Sequence, residues 1–105
     1  MTKTLIVDDM KEVYDKISKH FGENGYAPTL NDAIKEINSG KYDKVITDYH
    51  LGDDAPQGGL EVARTARDRG LSVILMSREN HREEARKLDV DFKFKKELIE
   101  NGIEN

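Results

Sequence analysis

Five polar side chains stand at the ends of apolar runs, in positions from which they could do chemistry together. Asp8 and Asp9 follow a Leu-Ile-Val run, Asp48 ends the run Val-Ile-Thr-Asp, Ser77 ends Val-Ile-Leu-Met-Ser, and Lys95 follows a short Phe-containing run. Short apolar runs between helical stretches are typical of buried parallel strands. Ligands of open parallel sheets bind at the carboxyl ends of the strands. We therefore expect these five side chains to converge on one crevice.

The chemistry expected of such a crevice is metal-assisted phosphoryl transfer. Three carboxylates in one place repel each other and raise each other's pKa unless a cation is present. Mg²⁺ prefers oxygen ligands and is commonly held by one or two carboxylates together with phosphate oxygens. A carboxylate such as Asp48 can act as the nucleophile and form an aspartyl-phosphate. Lys95 would bring a positive charge to the phosphoryl group, and the Ser77 hydroxyl a hydrogen bond.

Structural roles are alternatives for most of these residues. Asp8 and Asp9 could cap the first helix, and Ser77 could cap a later one, because anionic and hydroxyl side chains are favoured at helix N-termini. Lys95 could be an ordinary solvated lysine. Asp48 is harder to explain in this way, since a carboxylate at the end of a buried strand has few structural roles. Taken together, suitable groups at four strand ends favour a functional site.

Helical spacing between the runs predicts the elements that would position these residues. The first helix is predicted over residues 11–24, with Val13, Ile17 and Phe21 on one apolar stripe and Gly25 at its end. Residues 26–30 are predicted to form a short edge strand, because Pro28 lacks an N–H group. Further helices are predicted over residues 31–38, 59–69, 81–88 and 97–102.

Two details of these helices carry expectations of their own. Asn31 is the predicted N-cap of the second helix, which Ser39 and Gly40 would end. The helix over residues 81–88 has only Ala85 and Leu88 on its apolar stripe, so we expect it to be loosely held.

Strands and helices alternate five times along the chain. This pattern predicts an α/β fold with a five-stranded, doubly wound parallel sheet, right-handed crossovers and helices on both faces. The flavodoxin-like strand order 2-1-3-4-5 is the one expected for five such units. That order places the first and third strands side by side, so that Asp8 and Asp9 become neighbours of Asp48.

Length and composition limit the classes of function. The 105 residues are enough for one domain, residues 1–105. A net charge of −4 and the lack of a basic block argue against nucleic-acid binding, and the absence of cysteine excludes disulfides and thiolate metal sites. No apolar stretch is long enough to span a membrane or to form a signal-peptide core, so a soluble cytoplasmic protein with no membrane partner is expected.

Over essentially its whole length, the chain resembles response-regulator receiver domains of two-component signalling. Residues 5–9 match the acidic pair of that family, residues 45–48 its phospho-acceptor strand, and residues 59–61 the start of its third helix. Ser77 falls at the Thr/Ser switch position, and Lys95 falls at the invariant lysine.

The resemblance implies a role for each residue. Asp48 would accept a phosphoryl group from a histidine kinase or a phosphotransfer protein. Asp9, Asp48 and the backbone carbonyl of His50 would ligate Mg²⁺, and Asp8 would assist through water. Phe92 lies at the aromatic switch position of the family.

The chain departs from the family pattern at several positions. Lys96 stands where the family usually has proline, so the Lys95–Lys96 peptide is expected to be trans. Arg78 replaces the usual small residue after the switch hydroxyl. We expect Arg78 to lie over the pocket and pair with Asp48 or with Asp53 and Asp54 of the adjoining loop, rather than to extend into solvent. The region from the second strand into the second helix is short and the Asp48 loop is long, which puts the usual output face in doubt.

The function predicted from these residues is that of a single-domain response regulator, not an enzyme apart from self-catalysed phosphotransfer and autodephosphorylation. It would signal by phosphorylation-dependent conformational change and docking to a downstream protein. One alternative is a degenerate receiver that serves as a phosphorylation-independent interaction module, which Lys96 and Arg78 favour. Another is a small metal-dependent phosphatase or nuclease, for which Asp53 and Asp54 are the only candidates for a second-metal or general-base role.

Overall fold

The computed structural model describes residues 2–102, in which five strands and five helices alternate. In chain order they are β1 (Thr4–Val7), α1 (Lys11–Ser18), β2 (Asn24–Ala27), α2 (Leu30–Asn38), β3 (Lys44–Asp48), α3 (Gly58–Asp68), β4 (Ser72–Ser77), α4 (Arg82–Leu88), β5 (Asp91–Phe94) and α5 (Lys95–Asn101).

The five strands form one parallel sheet in the order β2-β1-β3-β4-β5, which confirms the predicted topology. The three inner strands are β1, β3 and β4, and they are almost entirely buried. Their continuous apolar sequences follow from burial on both faces. The register pairs Val7 with Thr47, Asp48 with Met76, and Ser77 with Phe94, so the carboxyl ends of the strands lie at the same edge.

Alternate strand residues enter two separate core clusters, one on each face of the sheet. Leu5 and Val45 contribute to the cluster under α2 and α3, whereas Ile6 and Ile46 contribute to the cluster under α1 and α5. The helices contribute Ala33, Ile37, Val62, Ala63 and Ala66 to the first cluster, and Val13, Ile17 and Leu98 to the second. The sheet is therefore doubly wound, as predicted.

The first helix is shorter than predicted, because the side chain of Asn24 ends it. The Asn24 amide lies 3.0 Å from the carbonyl of Gly22 and 3.4 Å from that of Phe21, while its Oδ1 accepts a 2.6 Å hydrogen bond from Tyr14. The chain therefore leaves the helix after Ser18 and begins β2 at Asn24. Phe21 still packs on the core, from outside the helix.

The predicted roles of Gly25 and Asn31 were wrong. Gly25 lies in β2, where a Cβ atom would stand 2.0 Å from the hydroxyl of Tyr42. The N-cap of α2 is Thr29, whose Oγ1 accepts a 3.1 Å hydrogen bond from the N–H of Asp32. As predicted, β2 is an edge strand, and it ends directly before Pro28.

The C-terminal helices are close to their predicted positions. Helix α4 begins at Arg82, and Ala85 is its only residue that is fully buried. Helix α5 begins at Lys95 rather than at Glu97, because the Glu97 carboxylate accepts the N–H of Phe94 at 3.1 Å and closes the first turn earlier. The Lys95–Lys96 peptide is trans, as expected. Within residues 2–102, no helix is long and apolar enough to cross a membrane.

Gly59 allows α3 to start directly against the end of β3. A Cβ atom at this position would lie 1.9 Å from the carbonyl oxygen of Asp48 and 2.6 Å from the Cα of Tyr49. The N–H of Gly59 also donates a 2.9 Å hydrogen bond to the Tyr49 carbonyl. The absence of a side chain here therefore determines how closely the helix approaches the strand that carries Asp48.

We expect Gly59→Ala to lower the free energy of unfolding by about 1–3 kcal/mol or more, because the added methyl group must displace backbone atoms. Gly22→Ala is the matched control, since Gly22 is exposed and a Cβ atom there has no neighbour within 4 Å. Urea denaturation followed by circular dichroism measures both. Equal midpoints for the two variants would show that the close approach carries no cost.

Candidate functional site

The sheet brings the predicted site residues to one edge. Asp8 follows β1 directly, Asp48 ends β3, Ser77 ends β4 and Lys95 follows β5. All four are buried, with exposed fractions between 0% for Asp8 and 7% for Ser77. Asp9 is exposed and lines the same cleft as Asp48, Ser77 and Lys95. The convergence expected from the sequence is therefore present in the structure.

Three carboxylates meet at this edge. Asp8, Asp9 and Asp48 each present an oxygen, and these oxygens all lie within 4.8 Å of one another. Asp53 and Asp54 are exposed and do not belong to this cluster. Asp53 and Asp54 are therefore not placed to hold a second metal ion beside this cluster.

Lys95 is the cation that faces this cluster. Its Nζ lies 3.0 Å from Oδ2 of Asp8 and 3.0 Å from Oδ2 of Asp48. The lysine is 5% exposed, so it is not the solvated side chain of the alternative interpretation. Buried ammonium groups are rarely found without such partners, because removing an unpaired charge from water is costly.

The expected position of Arg78 was wrong. Arg78 borders the cleft but is exposed, and it forms no ion pair within 4.0 Å with any group of residues 2–102. Lys95 already contacts the two buried carboxylates from the end of β5. Arg78 stands at the exposed start of the β4–α4 loop, where its charge can be hydrated without a carboxylate partner.

Burial changes the ionisation of both buried carboxyl groups. Burial, reinforced by the charge of Asp8, raises the pKa of Asp48 to about 6 although Lys95 acts in the opposite direction. Burial also raises the pKa of Asp8, against the lowering effects of a hydrogen bond from the Met10 N–H and of Lys95. Burial therefore outweighs the lysine for both groups.

The donor atoms of the cluster fit a hard divalent cation. Oδ2 of Asp8 is buried and accepts no hydrogen bond from the described residues, since its contact with Lys95 is an ion pair without hydrogen-bond geometry. Within residues 2–102 the carbonyl of His50 also accepts no hydrogen bond. When all three carboxylates are ionised, the single ammonium group leaves two negative charges uncompensated. Mg²⁺ and similar cations take oxygen ligands and supply this charge.

The two capping alternatives do not hold. Ser77 accepts a 3.1 Å hydrogen bond from the N–H of Glu79 in a turn, while the N-cap position of α4 belongs to His81. Asp8 accepts a 2.8 Å hydrogen bond from Met10 through Oδ1, and Met10 itself occupies the N-cap of α1. Because the Ser77 hydroxyl accepts that bond, its own proton remains to be donated.

Two residues at the cleft were missed from the sequence, Tyr49 and His81. Their rings stack with centroids 3.7 Å apart and planes inclined by 6°, and both line the cleft. An aromatic residue directly after Asp48 was the one available signal, and nothing in the sequence paired it with His81.

Phe92 lies half-buried on the edge strand β5, in edge-on contact with Phe94. The guanidinium carbon of Arg82 lies 5.4 Å from the centre of the Phe92 ring and 4.8 Å from that of Phe94. Phe92, the residue at the aromatic switch position, is therefore in contact with Arg82, the first residue of α4.

No protein-family model matches the chain, and no curated protein matches it in sequence. Solved structures do match it in three dimensions. A CheY-like response-regulator receiver domain from Methanospirillum hungatei has a TM-score of 0.77 at 19% identity, covering 95% of this chain and 89% of its own. A receiver domain from Francisella has a TM-score of 0.76 at 22% identity, covering 97% and 93%. A two-component response regulator from Clostridium difficile has a TM-score of 0.75 at 22% identity, covering 90% and 81%.

The chain therefore has the CheY-like fold of response-regulator receiver domains, in agreement with the resemblance noted in its sequence. The similarity extends over nine-tenths or more of the chain in each of these three cases.

The raised pKa of Asp48 predicts how stability depends on pH without metal. A carboxyl group whose pKa rises from 3.8 to about 6 on folding favours the folded state when protonated. This contribution is complete below the unfolded-state value and is lost as the pH rises through the folded-state value. The loss is on the order of 1–3 kcal/mol.

We therefore expect Asp48→Asn to be more stable than the wild type near neutral pH in EDTA, with the difference disappearing towards pH 3.8, the ordinary value of the group. Asp53→Asn, in the exposed loop, is the control and should follow the wild type at every pH. Urea unfolding over this pH range measures the effect. Wild type and Asp48→Asn that remain equally stable at neutral pH would contradict the prediction.

Proposed function

We propose that this chain is a response-regulator receiver domain that accepts a phosphoryl group on Asp48. The observation that carries the proposal is the contact of the Asp48 carboxylate with Lys95, beside Asp8 and Asp9, at the strand ends of a CheY-like fold. The acceptor, a cation for the phosphoryl group and two further carboxylates for a metal ion are thereby gathered at one cleft.

The reaction forms a bond between a carboxylate oxygen of Asp48 and phosphorus. The bond from phosphorus to the donor atom breaks, and its electron pair leaves with the donor. The ionised carboxylate is the nucleophilic form of the group, and with a pKa of about 6 Asp48 is mostly ionised at neutral pH. Lys95 then balances the charge of the phosphoryl oxygens, and the Ser77 hydroxyl donates a hydrogen bond to one of them.

A magnesium ion would be held by Asp9, Asp48 and the carbonyl of His50, with Asp8 assisting through water. When bound, Mg²⁺ supplies the positive charge that Lys95 alone does not, and it neutralises phosphoryl oxygens. Oδ2 of Asp8, whose partner is the Lys95 ammonium alone, and the carbonyl of His50, which accepts no hydrogen bond within residues 2–102, support this set of donors.

The partners that follow from this function are a histidine kinase or a phosphotransfer protein as donor, and a downstream protein as target. The similar solved structures bear the names of response regulators and receiver domains. Signalling would proceed by a shift between two conformations, which the phosphoryl group biases through its contacts with Ser77 and Lys95.

Incubation with acetyl phosphate and Mg²⁺, followed by intact-mass measurement, tests the acceptor. We expect the wild type to gain the mass of one phosphoryl group and Asp48→Asn to gain none, because an amide cannot act as the nucleophile. Asp53→Asn should gain the same mass as the wild type, since Asp53 lies outside the carboxylate cluster.

Three results would contradict this proposal. Full phosphorylation of Asp48→Asn would place the acceptor elsewhere. A wild type that stays unmodified by acetyl phosphate and by a phosphorylated histidine kinase would support the alternative of a phosphorylation-independent interaction module. Turnover of a generic phosphoester would support the phosphatase alternative.

Metal affinity should distinguish the two carboxylates that follow β1. We expect Asp9→Asn to weaken Mg²⁺ binding about tenfold or more, because one of the two direct carboxylate ligands is lost. Asp8→Asn should weaken it less, because that contact passes through water. Titration followed by NMR measures both affinities. An Asp9→Asn variant that binds Mg²⁺ as tightly as the wild type would rule out this ligand set.

A further inference from the structure

The stack of Tyr49 on His81 joins two segments that border the cleft. Tyr49 directly follows the acceptor Asp48, and His81 occupies the N-cap position of α4. The ring centroids are 3.7 Å apart and the planes are inclined by 6°, so the faces are in full contact. The stack therefore connects the loop after β3 to the first turn of α4.

Backbone hydrogen bonds attach the start of the loop to β4 and α3 and close a turn further along, where the N–H of Leu51 donates to the Ala55 carbonyl at 3.1 Å. The N–H of Tyr49 donates to the Met76 carbonyl at 2.9 Å, and the Tyr49 carbonyl accepts from Gly59 at 2.9 Å. Beyond Tyr49, no backbone hydrogen bond connects residues 50–57 to residues 78–90. The contact of Tyr49 with His81 is thus a direct link between two segments that backbone hydrogen bonds leave separate.

The His81 ring is oriented by residues on both sides of it. Its Nδ1 lies 3.3 Å from a Glu84 carboxylate oxygen, and its Nε2 lies 3.8 Å from a Glu79 oxygen. The side chain is 18% exposed, and the His81 carbonyl accepts the N–H of Ala85 at 3.1 Å in the first turn of α4. A displacement of this ring therefore acts on the beginning of the helix.

Helix α4 is otherwise attached by the half-buried Leu88 on the core, by the Arg67 hydrogen bond to the Leu88 carbonyl at 2.7 Å, and by Arg82 on two rings of β5. Ala85 is its only fully buried residue. Low local burial is typical of elements that open easily. Glu84 also lies close to Tyr49: burial raises the pKa of the Tyr49 phenol, and the charge of Glu84 raises it further. The stack and its carboxylate neighbour thus hold the first turn on the side of the cleft, while Arg82 holds it on the side of β5.

We infer that His81 is a positioning residue for the acceptor site, which orders the loop carrying the His50 carbonyl by stacking on Tyr49 and couples cation binding there to α4. This inference rests on the proposed function and adds a route of regulation to it. A loop that is already ordered loses less conformational entropy when its carbonyl binds a cation. Removal of the stack should therefore weaken cation binding, and α4 should no longer respond when the cation binds.

The test compares wild type, His81→Ala, His81→Phe and Arg86→Ala in Mg²⁺ titrations without phosphodonor. We expect His81→Ala to weaken Mg²⁺ binding about two- to tenfold, the range set by one aromatic pair. His81→Phe should restore it, because phenylalanine stacks on Tyr49 although it cannot contact the carboxylates. Arg86 is an exposed residue of α4 that pairs with Glu83, so Arg86→Ala should bind Mg²⁺ as the wild type does.

Amide hydrogen exchange in α4 is the second readout. In the wild type, His81→Phe and Arg86→Ala, added Mg²⁺ should change the protection of Arg82–Leu88. In His81→Ala this response should be lost while protection in β1 and β3 is retained. A purely structural role would instead change protection with and without Mg²⁺ alike.

Several outcomes would overturn the inference. These are an unchanged Mg²⁺ affinity in His81→Ala, a failure of His81→Phe to restore it, or an α4 response that is equal in all variants. If His81→Ala does not fold, His81→Phe still tests the inference, since an Mg²⁺ affinity well below that of the wild type would overturn it. A wild type that binds Mg²⁺ but is not phosphorylated would contradict the proposed function alone, whereas a wild type that binds no Mg²⁺ would overturn this inference.

Discussion

The buried Lys95 contacts two carboxylates at once, and the arrangement of the site depends on this interaction. Lys95 is the first residue of α5, directly after the edge strand β5, whereas Asp8 follows β1 and Asp48 ends β3, so the ion pairs reach across the width of β4. Each carboxylate alone would be costly to bury, and so would the ammonium group. Burial raises the pKa of both acids by more than Lys95 lowers it. When both are ionised, two carboxylates against one ammonium leave excess negative charge. The site is therefore assembled in a state that gains from an added cation.

This excess charge explains features that would be defects in a purely structural core. Oδ2 of Asp8 is buried without a hydrogen bond, and the cleft opens beside it at Asp9. A core selected for stability alone would place apolar side chains at these strand ends, as it does one residue earlier at Val7. Strained or unsatisfied groups of this kind are expected where function competes with stability. The fold tolerates them because the apolar clusters on both faces of the sheet lie directly beneath.

Sequence reasoning was most accurate where one physical constraint acts alone. Burial on both faces makes the inner strands continuous apolar runs, and the alternation with helices leaves one common strand order, so the convergence of Asp8, Asp48, Ser77 and Lys95 could be predicted. The predictions failed where a specific side-chain contact overrides the local sequence pattern. The amide of Asn24 ends α1 early, and Tyr42 requires glycine at position 25, yet neither contact leaves a periodic signal. Arg78 was misplaced because the sequence puts Lys95 in the crevice but does not show that this one side chain contacts both buried carboxylates directly.

The attachments of α4 differ in kind from those of the other helices. Helices α1, α2, α3 and α5 contribute fully buried aliphatic side chains to the core, whereas α4 contributes the single methyl group of Ala85. Its other contacts are the half-buried Leu88 on the core, the Arg67 hydrogen bond to the Leu88 carbonyl, His81 on Tyr49 beside Asp48, and Arg82 over two phenylalanines of β5. Stacking and cation–π contacts contribute little free energy individually and depend on relative ring position. An element held in this way can move without disturbing the core. Since its first contact lies next to Asp48, a change of charge at the site can act on α4 as well as on α5, which begins at Lys95.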